Sequence, residues 1–174
     1  MMGQGGIRAF GAQLFLEEQR RIFDYWLALK GDADMPPRAA LSPAGIPDLL
    51  PHVSLIELLP DPDVIRVRLA GTGLWDIHGR EITGRTLANH DWGGNRDYWK
   101  RNYDLIRQQP RPVAGMLRAP AAGKDHLVQF WLRLPMSNGE DGGVVLLGLD
   151  LCVAASKLGA EHADGNEAVS LTAS

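Results

Sequence analysis

The feature that most constrains the fold lies in the last third of the chain, where two strand-like segments flank a short loop. Across residues 126–134 the side chains alternate, with Val128, Phe130, Leu132 and Leu134 on one face and Gln129 and Arg133 on the other. Period two marks a half-buried strand, because successive side chains of extended backbone point to opposite faces. Residues 137–142 (Ser-Asn-Gly-Glu-Asp-Gly) form a loop of types that turn readily. Residues 144–151 are then apolar except for Asp150, which suits a strand covered on both faces at the centre of a sheet. A chain with this hairpin must build a sheet and find cover for both of its faces.

The upstream sequence supplies more strands. Residues 52–59 read as a first strand, Pro60-Asp61-Pro62-Asp63 as a turn, and residues 64–70 as a second strand with Ile65, Val67 and Leu69 opposed to Arg66 and Arg68. Residues 113–119 give a third, so the total is five antiparallel strands. Between the second and third strands, Gly71-Thr72-Gly73 opens a short helix over residues 74–78, and a glycine-punctuated stretch follows. A clear helix over residues 95–109 carries Tyr98, Trp99, Tyr103, Leu105 and Ile106, and Pro110 and Pro112 end it.

Ahead of the sheet, residues 11–30 are amphipathic at helical period, with Leu14, Ile22, Tyr25, Trp26 and Leu29 on the apolar side and Gly31 as the stop. Met35-Pro36-Pro37-Arg38 is a stiff connector. Ser42-Pro43 predicts a further short helix holding Ile46, Leu49 and Leu50. Residues 1–12 read as a flexible arm and residues 156–174 as a disordered tail, which leaves one α+β domain over residues 13–155: the N-terminal helix at 13–30, and the sheet with its helical insert at 52–152.

Composition narrows the function. A chain of 174 residues can bury a core without metal or disulfide, and its single cysteine, Cys152, reads as a small buried hydrophobe in a reducing compartment. A net charge of −3 argues against a nucleic-acid partner. No segment approaches the roughly 20 apolar residues of a membrane span. Leu14-Phe15-Leu16 runs at once into Glu17-Glu18-Gln19-Arg20-Arg21, unlike a signal peptide, so a cytoplasmic location is expected.

Several local motifs recur in order: Tyr25-Trp26; Met35-Pro36-Pro37-Arg38; Ser42-Pro43; Leu49-Leu50-Pro51; Val67-Arg68-Leu69-Ala70-Gly71-Thr72; and Gly79-Arg80-Glu81-Ile82-Thr83-Gly84-Arg85. Together they resemble the PAS-like domain family common in alphaproteobacteria, from about residue 15 to about residue 152. The resemblance implies a five-stranded sheet whose concave face is covered by helices, a cleft between them that could hold a small ligand, and a sensory or protein-interaction role. It supplies no catalytic residue and no cofactor.

The insert and the sheet gather aromatic side chains that combine apolar area with a polar tip. Trp75, Trp92, Trp99, Tyr103 and Phe130, with Arg80 and Arg85 as possible anion contacts, are the candidate pocket; the alternative is that they fill a core. Alternation sets Trp131 opposite Phe130, so with Phe130 in the cleft Trp131 faces outward. Trp131 with Leu14, Ile22, Tyr25 and Trp26 is then the candidate surface for a homodimer or a protein partner. His52, His78, His90 or His126 beside a carboxylate would serve a small enzyme instead. A structural adaptor with a filled core is the third reading. Asp76, His78, His90 and Asp91 match no zinc spacing, and the dinucleotide fingerprint fails where Asp76 replaces a glycine.

Overall fold

The structure is a computed structural model and describes residues 4–61, 63–139, 142–159 and 171–172. The hairpin expected near the C-terminal end forms the middle of the sheet. β4 (Leu127–Ser137) and β5 (Val144–Ala154) pair antiparallel along their whole length. β1 (Val53–Leu58) lies beside β5, β2 (Ile65–Ala70) outside β1, and β3 (Val113–Arg118) outside β4. Two further residues, Leu171–Thr172 (β6), pair with Val113 and Ala114, so the order is β2-β1-β5-β4-β3-β6.

This order decides where the insert goes. β2 and β3 stand on opposite sides of the central strands, so the chain between them must cross one face of the sheet. It does so through α3 (Leu74–His78) and α4 (Arg96–Gln108), which close the concave face. The insert is also stitched to the edge of β2: Gly84 and Leu87 donate to the carbonyls of Val67 and Ile65. That edge is therefore covered and offers no open ladder.

The other face is sealed by α1 (Gln4–Gln13) and α2 (Glu17–Lys30). The arm expected over residues 1–12 is thus largely helix. Ile7, Phe10 and Leu14 recur at helical spacing and are buried, and Phe10 meets Phe23 edge-on with ring centroids 5.2 Å apart. Glycines around them conceal the pattern. The single helix expected over 13–30 starts instead at Glu17. There the Gln19 side-chain oxygen accepts from the amides of Phe15 and Leu16, which supplies the partners a helix start lacks.

The helix expected after Ser42-Pro43 is two separate 3-10 turns, Pro43–Gly45 and Leu50–His52. Three residues of a tight turn suffice to bury Ile46 and Leu49 against the outer core. Of the expected tail, residues 160–170 and 173–174 lie outside the described residues, Ala155–Lys157 form a 3-10 turn, and Leu171–Thr172 form β6.

Candidate functional site

The register of the central hairpin builds the site. Cross-strand partners in an antiparallel pair share a face, and β4 sets Gln129 opposite Cys152, Trp131 opposite Asp150, and Arg133 opposite Gly148. All of these face α3 and α4. A side chain at Gly148 would collide with Ser54 Oγ and lie 3.1 Å from Arg133 Nη1, so the glycine gives Arg133 room to lie across the strand. Arg133 then reaches Asp150 diagonally in a bidentate pair, Nη1 to Oδ2 at 2.9 Å and Nη2 to Oδ1 at 3.0 Å. Gln129 Nε2 donates to the same Oδ1 at 2.8 Å.

α4 grips this pair. The guanidinium carbon lies 5.0 Å from the Trp99 ring and 5.6 Å from the Trp131 ring, and Arg133 Nε donates to Tyr103 Oη at 3.4 Å. Trp131 Nε1 donates to Tyr98 Oη at 2.9 Å. Beneath Trp131 a Cβ on Gly115 would come within 2.6 Å of the indole, so only glycine lets that ring lie flat on β3. Arg133 is 4% exposed and Asp150 1%. Burial works against the charge on Arg133, but the facing Asp150 outweighs it and holds the guanidinium protonated. Burial also pushes the Tyr98 hydroxyl up to about 12 and raises that of Tyr103, so both stay neutral donors and acceptors.

Beside the stack, Ile56, Ile65, Val67, Leu87, Trp92, Trp99 and Tyr103 enclose a hollow of about 10 Å³, room for one water at most. Above it the insert brings two histidines together. His78 ends α3, and its ring centroid lies 6.1 Å from that of His90 and 5.6 Å from that of Trp92; His90 meets Trp92 at 4.6 Å. Burial pushes His78 down to about 4, with Asp150 opposing and His90 and Arg133 reinforcing the shift. His90 is likewise lowered, first by burial and then by Arg80 and Arg85. Of the other three histidines, His52 sits against Gly73, His126 is exposed, and His162 lies outside the described residues. Among the described residues no three His, Cys, Asp or Glu side chains gather as metal ligands would.

The expected pocket residues separate. Trp92, Trp99 and Tyr103 do line the hollow. Trp75 is 55% exposed on α3, and Arg80 and Arg85 are exposed on the loop outside it. Phe130 and Trp131 do fall on opposite faces, but the reverse of the expected assignment. Phe130 points outward and stacks on Phe15 at 5.1 Å, whereas Trp131 is in the concave core. The purely apolar face of β4 meets the two N-terminal helices, and the face carrying Gln129 and Arg133 meets the insert, where Asp150 accepts from both and Tyr103 accepts from Arg133.

The expected dimer surface is occupied by its own chain. Leu14, Ile22 and Trp26 are buried against the outer face, Trp26 Nε1 donates to the Pro135 carbonyl at 2.9 Å, and Tyr25 Oη bonds to the Ser42 backbone. Among the arginines, Arg66 and Arg68 both bond to buried Glu57. Burial alone would raise that carboxyl, but the two arginines hold it below its ordinary range.

No motif singles out Arg133, Asp150 or Gln129 as a site residue. Their one signal is an acid inside the apolar run of β5 and a base inside the alternating run of β4, which a central sheet position obliges to pair.

A family model described as PAS domain matches residues 15–150, a span that takes in α2, the first four strands, most of β5 and the whole insert. The chain belongs to the PAS domain family. No curated protein and no solved structure matches the chain significantly. PAS domains are in general non-catalytic sensory and interaction modules, and the concave face just described is where this PAS domain buries Gln129, Arg133 and Asp150. No helix among the described residues is long and apolar enough to cross a membrane.

Proposed function

We propose that this PAS domain is a non-catalytic sensor whose input acts on the contact between the sheet and α4, and whose output goes to a protein partner. One observation carries the reading. The Arg133–Asp150 pair, whose guanidinium packs against Trp99 and Trp131 and bonds to Tyr103, joins α4 to the two central strands beside a hollow of about 10 Å³. Such a joint has two well-separated arrangements, made or broken, because a lone buried charge is far costlier than a paired one. The histidine–carboxylate enzyme reading is weaker, since Asp150 already accepts from Arg133 and Gln129 and is not free to serve His78 as a partner base. Native mass spectrometry of the protein purified from its host tests the proposal. The expected result is chain mass without a bound organic molecule, with a protein partner retained. A stoichiometric small ligand would instead return the cleft to a binding role.

A further inference from the structure

We propose that the input is the proton: His78 and His90, packed edge-on with Trp92 inside the insert, form a latch that holds residues 78–92 down when neutral and lets them lift when charged. The inference rests on the reading that the input acts at a closed joint, and it names what can enter one. A hollow of about 10 Å³ excludes organic molecules but not a proton.

The geometry places a new charge badly. His78 Nδ1 is buried with no hydrogen-bond partner. α3, which ends in His78, packs on β5, the strand of Asp150; the charge of Asp150 favours a proton on the ring, and those of His90 on the loop and Arg133 on β4 oppose it. Asp150 is the one attractive group, and Arg133 and Gln129 already engage it. A proton on His78 therefore adds a cation whose Nδ1 has no acceptor, beside a carboxylate that is already fully engaged. The charges of Arg80 and Arg85 oppose a proton on His90 and that of Asp91 favours it, and the His78 ring lies 6.1 Å away, so charging both rings sets like charges against each other. Both histidines belong to the insert, so lifting it takes both into water.

The sign follows from linkage. Closed, His78 binds a proton only near pH 4; in water it does so near 6.5. Acid therefore favours the lifted form, beginning below the solution value and levelling off near the closed one. His78 alone raises the lifted-to-closed ratio about thirtyfold between pH 7.5 and pH 5.

Hydrogen exchange corrected for intrinsic rates tests this. The amides of Gly84 and Leu87, which donate to β2 carbonyls, report lifting, and the β5 amides report the sheet. The expected result at pH 5 is tens-fold faster opening of Gly84 and Leu87 with β5 protected. His78→Gln should flatten that response, His90→Gln weaken it, and exposed His126→Gln leave it intact. An equal acid response in His78→Gln, or simultaneous loss of β5 protection, overturns the latch. If His78→Gln does not fold, NMR titration of the wild-type imidazoles decides: a His78 midpoint well below 6.5 supports the latch, and one at or above it overturns it. A ligand found by mass spectrometry would defeat the closed-joint reading without moving these midpoints, and normal His78 titration would defeat the latch while the partner-binding role stands.

Discussion

The two faces of the sheet are packed by opposite means. On the outer face, α1 and α2 cover Leu132, Leu134, Leu147 and Leu149 with aromatic and aliphatic side chains, and Trp26 Nε1 and Gln19 Nε2 bond to β4 carbonyls. No ion pair enters that interior among the described residues, apart from Glu57 at its margin with two half-exposed arginines. On the concave face the same strands contribute Gln129, Arg133 and Asp150 to an interior that is 1–4% exposed. Burial of hydrocarbon is non-directional and tolerates small shifts, whereas a buried ion pair is either matched or severely mismatched. The outer face is thus suited to holding the domain together, and the inner face to switching between states.

The contrast can be broken by measurement. Trp26→Ala should cost about 3–5 kcal/mol in denaturant unfolding, since it opens a large cavity and orphans the Pro135 carbonyl. A loss below about 1 kcal/mol would mean the outer helices contribute little. Arg133→Ala should cost a similar ~3–5 kcal/mol by stranding Asp150, but Arg133→Met with Asp150→Leu should recover most of it or exceed wild type. No second substitution on the outer face should rescue Trp26→Ala in this way. If the inner double variant is as unstable as the single one, the pair is not what distinguishes the faces. Gly115→Ala should cost ~1–3 kcal/mol by driving a methyl into Trp131, and should blunt the near-ultraviolet dichroism of the stacked rings. Trp75→Ala, exposed on α3, should change stability by no more than about 0.5 kcal/mol, so a strong effect on partner binding there would be read as contact and not as unfolding.

Acid sharpens the same comparison. His78 is held far below its ordinary value by burial, so its share of stability is fully present above about pH 6.5 and is lost progressively toward pH 4. That loss belongs to the concave side, and α2 amides should stay protected over the range where the insert opens.

Much of this could be read from residues alone. Alternation in β4, the unbroken apolar run of β5, the turn before β2 and the prolines after α4 specified the strands, the insert and its place between β2 and β3, because these are local consequences of backbone period and of residues that end a helix. The motifs carried the family. Trp92, Trp99 and Tyr103 were legible as interior aromatics of the insert. What the sequence could not supply was which layer covers which face. Alternation says that Phe130 and Trp131 diverge, and nothing in a period of two says toward what. The order β2-β1-β5-β4-β3 decided it, by sending the insert across the side where Trp131, Arg133 and Asp150 point and leaving Phe130 to the N-terminal helices. The same long-range packing turned an apparent arm into α1 and an apparent dimer face into core. Contacts between residues a hundred positions apart, such as Trp26 with Pro135, exist only once the chain has closed on itself.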